Sequence, residues 1–118
     1  TSHRDLVVPG GARTGDIIML TKSLAIEGTA LLAQERADEL IPLVGELVVR
    51  SASRLLRDPG ISVVDDCRAA LSLGGVTALH DPTEGGLATA VRELAAPSKL
   101  GVRLSADDIP ILPDTPCR

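Results

Sequence analysis

The chain contains no phenylalanine, tyrosine or tryptophan. That absence constrains the fold more than any motif, because a core must be assembled from Leu, Val, Ile and Ala. At 118 residues and 44% apolar content, a single domain with a real core is the expected count. The same absence bears on function. No aromatic shelf exists for stacking bases, so single-stranded nucleic-acid binding of the usual kind is not expected. An adenine ring would have to be held by aliphatic side chains or by another domain.

The net charge is −4 and no basic run stands out, which argues against nucleic acid or an acidic membrane surface as a partner. No apolar run approaches the length of a bilayer span and no signal-peptide pattern is visible, so a cytoplasmic location is expected. Cys67 and Cys117 lack metal-ligand spacing and read as two reduced thiols. Nothing beside Cys117 supports it as a nucleophile.

The most informative stretch runs from His80 to Ala95, HDPTEGGLATAVRELA. Val76-Thr77-Ala78-Leu79-His80 is short and apolar, follows the breaker pair Gly74-Gly75, and reads as a buried strand. Asp81 then stands as an N-cap, with Pro82 at the first helical position and Glu84 at capping-box spacing. Leu87, Val91, Leu94 and Ala95, with Ala90 beside them, share one helical face; Arg92 and Glu93 fall outside it. Glycine is about 1 kcal/mol worse than alanine in a helix. The pair Gly85-Gly86 in its first turns therefore points to a close approach to the backbone. Free N–H groups and partial positive charge make phosphate a natural guest there. The same residues also fit a capped helix whose glycines merely let helix and strand pack closely. Asp81 and Glu84 fit caps, or ligands of a metal or hydroxyl. His80 fits a strand-end residue more readily than a catalytic base, since no second catalytic partner sits at a diagnostic spacing.

Elsewhere, Leu6-Val7-Val8 reads as the end of a strand and Ile17 to Thr21 as another, entered through Asp16. Glu27 to Leu40 reads as a helix with Ala30, Ala33, Ala37, Leu40 and Ile41 inward. Pro42 opens the next helix, with Val44, Leu47, Val48, Ala52 and Leu55 inward and Arg50, Arg54 and Arg57 in solvent. Asp58-Pro59-Gly60 stops it. Ser62 caps a further helix with Val63, Val64, Cys67, Ala70 and Leu71 on its apolar face, and Asp65, Asp66 and Arg68 at the surface. Val102 and Leu104 alternate with polar neighbours as in a half-buried strand, and Asp107-Asp108 with Pro110, Pro113 and Pro116 makes the tail extended. Strands alternating with helices predict an α+β fold of α/β character: a mixed β-sheet covered by helices on one side. A doubly wound nucleotide fold is disfavoured, because no strand leads into a dinucleotide or P-loop glycine motif.

His80-Asp81-Pro82-Thr83-Glu84-Gly85-Gly86-Leu87 resembles the signature of the C-terminal domain of the aminoimidazole ribonucleotide synthetase superfamily. Within it, the D-P-T-x-G-G-L-A-T run looks closest to the hydrogenase maturation branch, which dehydrates a carbamoyl thioester, and to uncharacterised synthase-related proteins. The resemblance extends to Pro9–Ile18 and to the Thr21–Thr29 loop, where the purine-synthesis members carry His and Asn. This chain lacks them, which argues against that substrate.

The resemblance implies that residues 1–118 form one domain, truncated at its C-terminal end and lacking the N-terminal ATP-binding domain. ATP and Mg2+ would be held mainly by that absent domain, a homodimer is expected, and the substrate would be a small molecule or a protein-borne thiocarbamate. The implied activity is activation of an amide or carbamoyl oxygen by phosphoryl transfer. The alternative is a non-catalytic interaction or dimerisation domain of the same fold. By resemblance, Asp81, Thr83, Gly85 and Gly86 would face the phosphates or the activated oxygen. The Lys22 to Gly28 loop would contact substrate, with Lys22 offering a point charge or serving only as a surface lysine. No catalytic residue and no metal site are assigned to the chain. A bulky β-branched residue at Gly86 is expected to abolish turnover and leave the fold largely intact.

Overall fold

Helix boundaries along this chain are set by backbone turns rather than by side-chain caps. The computed structural model describes residues 6–111. Helix α1 (Ile26–Glu35) is entered through Ala25, a left-handed residue at φ 58°. Arg36, at φ −125°, separates it from α2 (Ala37–Val44), and Gly45, at φ 91°, separates α2 from α3 (Glu46–Ala52). Helix α4 (Val64–Leu73) stops at Gly74, and α5 (Gly86–Ala95) is entered through Gly85 at φ 77°. Single 3-10 turns lie at Pro9–Gly11, Ala96–Ser98 and Ala106–Asp108, and a wide turn at Leu56–Gly60. No helix among the described residues is long and apolar enough to cross a membrane.

Two units share the described residues: one takes residues 6–19 together with Val63–Ile109, the other takes Leu20–Ser62 with residues 110–111. In the second unit Ala33, Val49 and Ala52 form a buried cluster against which Ala37, Leu40 and Leu55 pack. Ala30, in α1, has no exposed surface. This is an alanine-rich core with Ile26 and Val49 as its larger buried side chains. An aromatic side chain would have buried about 150–250 Å² by itself. Arg50, Arg54 and Arg57 are exposed as expected. In the first unit Ala90 and Ala95 are buried and Leu87, Val91 and Leu94 half-buried, the face the helical spacing of α5 predicts.

The expected mixed β-sheet is not present among the described residues: the secondary structure there is helical, with extended segments but no ladder. Alternation and apolar runs describe which way side chains face. A strand also needs a second backbone to pair its N–H and C=O groups. Val76–His80 is extended and half-buried. Its neighbours in the first unit meet it through side chains and one close backbone approach instead. A Cβ on Gly11 would run into the Thr77 carbonyl oxygen. The stretches Ile17–Thr21 and Val102–Leu104 are exposed throughout.

Helix registers differ in three places. The helix expected over 27–40 breaks at Arg36. Pro42 lies inside α2 instead of opening a helix, forgoing an N–H bond to the Asp38 carbonyl, and Gly45 supplies the positive φ that ends it. Because the helix phase restarts at Gly45, spacing counted from Val44 does not carry across. Leu47 is therefore 83% exposed and Val49 turns inward. Ser62 does not cap α4, whose N-cap is Val63; its carbonyl accepts a hydrogen bond from Lys22 Nζ. Asp107-Asp108, expected as the start of an extended tail, lies in the Ala106–Asp108 turn; the rest of the expected tail beyond Ile111, and Cys117, lie outside the described residues.

Candidate functional site

The capping box expected at Asp81 and Glu84 does not form. Helix α5 begins at Gly86, and residues 81–85 precede it as an exposed loop. Capping needs the donor–acceptor pair within one turn of the helix start, and the start lies five residues after Asp81. The reason is the glycine pair itself. Gly85 and Gly86 have φ 77° and 66°, a region that costs other residues about 1–2 kcal/mol. A Cβ at Gly85 would also sit 2.7 Å from Thr89 Cβ. At Gly86 a Cβ would meet nothing within 4 Å. Gly85 is thus explained inside the protein, whereas Gly86 presents open backbone to solvent. Its φ also means that a β-branched residue there strains the chain, so the fold would not stay unaffected.

No side-chain bond caps α5. The N–H groups of its first turn are therefore free of side-chain acceptors among the described residues, at the positive end of the helix dipole. Thr83 Oγ1 lies 3.5 Å from the Asp81 carbonyl, at the limit of a hydrogen bond. Asp81 and Glu84 are exposed carboxylates. They would repel a bare phosphate and suit one only with a cation between. Among the described residues no group of three or more His, Cys, Asp or Glu could hold a metal ion. Mg2+ is bound through one or two carboxylates together with substrate phosphates, and this exposed pair would supply no more than that part of the set.

The loop has firmer anchors at its ends. His80 Nε2 lies 3.0 Å from Glu93 Oε2, on α5. A carboxylate only accepts, so Nε2 carries the proton and Nδ1 is the acceptor in the neutral ring. Upstream, Thr77 Oγ1 donates to Asp16 Oδ2 at 2.5 Å, and the Arg13 backbone N–H donates to the same oxygen at 2.8 Å. The Thr77 hydroxyl first, and the Arg13 amide second, hold the Asp16 carboxyl below its ordinary value of 3.8. Neither Glu93 nor Asp16 is marked by spacing, since their partners lie 13 and 61 positions away. The i,i+4 relation of Gly85 and Thr89 was readable.

Lys22 and Gly28 belong to the other unit. Lys22, at φ 62°, precedes α1. Gly28 lies within α1 rather than in a loop, and a Cβ on it would meet nothing within 4 Å. A hollow of about 210 Å³ lies between α5 and the Leu100–Val102 stretch, with Arg92 in its lining, and includes none of the loop residues.

The profile of the family described as AIR synthase related protein, C-terminal domain, matches residues 13–115. The chain belongs to that family. It is similar to Carbamoyl dehydratase HypE of Cupriavidus necator, at 35% identity over 92% of this chain and 28% of the relative. It is also similar to the proteins of that name from Bradyrhizobium diazoefficiens, at 31% identity over 91% of this chain and 30% of the relative. The Rhizobium leguminosarum bv. viciae protein of the same name is 30% identical over 87% of this chain and 27% of the relative. The chain thus spans under a third of the length of these curated relatives. No solved structure matches it.

Proposed function

We propose that this chain is the substrate- and phosphate-side domain of an ATP-dependent enzyme that activates a carbamoyl or amide oxygen, in the manner of a carbamoyl dehydratase. The observation that carries the reading is the open backbone at Gly86, with an uncapped α5 N-terminus behind it. Phosphorylation of an oxygen turns a poor leaving group into phosphate. The part of this chain is electrostatic: fixed N–H groups of the first α5 turn face charge that develops on the transferred group. Asp81, Thr83 and Gly85 are proposed to face the same group. Lys22 and Gly28 are proposed to contact substrate. ATP and Mg2+ are proposed to be held mainly by an N-terminal domain of the longer protein, which acts as a homodimer in the cytoplasm on a small molecule or a protein-borne thiocarbamate.

The alternative is a non-catalytic interaction or dimerisation domain. Ile17, Met19, Leu43, Leu47 and Leu73 favour it, each more than three-quarters exposed. Large apolar side chains in such numbers accompany surfaces that are covered by a partner.

The test is the native polypeptide, isolated from its source cells with an antibody against this domain. A product much longer than 118 residues that cleaves ATP faster when a carbamoyl thioester is added supports the enzyme reading. A product of this length with no ATP cleavage overturns it in favour of the interaction domain.

A further inference from the structure

The Asp81–Gly86 loop has little of its own to hold it. All six residues are exposed, no side chain caps the helix that follows, and the one side-chain contact within the loop is the 3.5 Å approach of Thr83 Oγ1 to the Asp81 carbonyl. Two consecutive glycines add backbone freedom. Yet the loop is spanned by one bond, from His80 Nε2 to Glu93 Oε2 at 3.0 Å. His80 is the last residue of the half-buried segment before the loop, with its side chain 22% exposed, and Glu93 lies two turns into α5.

We infer that Glu93, acting through His80, is a positioning residue for this loop: the bond closes residues 80–93 into a ring and fixes where the open backbone of Gly86 stands relative to Thr77–His80. Closing a loop lowers its conformational entropy without touching any ligand. A group that binds at the first turn of α5 then meets backbone donors already in place. That last step rests on the site reading above; the restraint of the loop does not.

The experiment uses the 118-residue chain and two variants, Glu93→Ala and Glu93→Gln, with backbone 15N order parameters as the readout. In the parent chain, Thr83–Gly86 should approach the value of about 0.85 typical of rigid backbone; Glu93→Ala should lower those residues below about 0.6. Thermal unfolding and the order parameters of α3 should stay unchanged. Glu93→Gln keeps an acceptor for Nε2–H and should restore the loop. Unchanged loop values in Glu93→Ala overturn the inference. So does a uniform loss of order through α5 and residues 76–80, which would mean that Glu93 serves general packing. Orthophosphate titration of the same samples separates the two readings. Weakening by roughly two- to tenfold in Glu93→Ala supports both. Loop disorder in a chain whose parent binds no orthophosphate sinks the site reading and leaves the positioning role standing.

Discussion

Thr77 and Asp16 are joined by a 2.5 Å hydrogen bond across 61 positions of sequence. It ties the turn after Pro9–Gly11 to the segment that leads into the candidate site. The same carboxylate oxygen also accepts the Arg13 amide, so the ionised form is the one the fold favours. A carboxyl held below its ordinary value stabilises the fold above that value, and the contribution fades as pH falls through the lowered one. Thermal midpoints measured from pH 7 down to about pH 3 should therefore fall at the acid end. Thr77→Val should flatten that part of the profile. An unchanged acid limb in the variant would mean that the bond does not form in solution.

The glycine pair before α5 should not tolerate side chains. Gly86→Ala should cost about 1–2 kcal/mol through its left-handed backbone alone. Gly85→Ala should cost more, because its Cβ meets Thr89 as well. Denaturant midpoints of the two variants check the order. Equal and negligible losses would remove the conformational account of these glycines.

Gly28 behaves differently. It sits inside α1 in open space with no positive φ to require glycine. Gly28→Ala should stabilise the chain by about 0.5–1 kcal/mol. A variant that gains stability yet loses activity in the longer protein would mark Gly28 as a point of ligand approach. One that gains stability and keeps activity would remove it from the site.

Enlarging the one fully buried alanine of α1 tests how this core is filled. Ala30 has no exposed surface, so Ala30→Leu should destabilise by about 1–3 kcal/mol through overpacking. A stabilised variant would show instead that this core is loosely filled.

What could be read from the residues alone divides by the range of the interaction. The apolar face of α5 followed from spacing, because Leu87, Val91 and Leu94 are neighbours on one helix. The family followed from His80 to Leu87, a local string. The sheet did not follow. The apolar run Val76–Leu79 and the alternation at Val102–Leu104 satisfy a strand's pattern, but pairing depends on a second backbone that no local window contains. The capping box failed for a related reason. Asp81 and Glu84 have the right spacing for a cap, but two left-handed glycines delay the helix until Gly86. His80 found its partner in Glu93, a residue that spacing had set aside as belonging to the polar face. Legibility of the site was accordingly good for the loop's identity and poor for what restrains it.

The division of the chain also orders events in time. Residues 6–19 and Val63–Ile109 belong to one unit, and Leu20–Ser62 separates them in the sequence. During synthesis Leu20–Ser62 is delivered before Val63–Ile109 exists. Asp16 must wait for Thr77 while 61 further positions are polymerised, roughly 3–12 s at ordinary elongation rates of about 5–20 residues per second. Through that interval Ile17 and Met19 ride on a segment whose partners do not yet exist. The loop at Gly85-Gly86 follows Thr77 in the chain and is built later still.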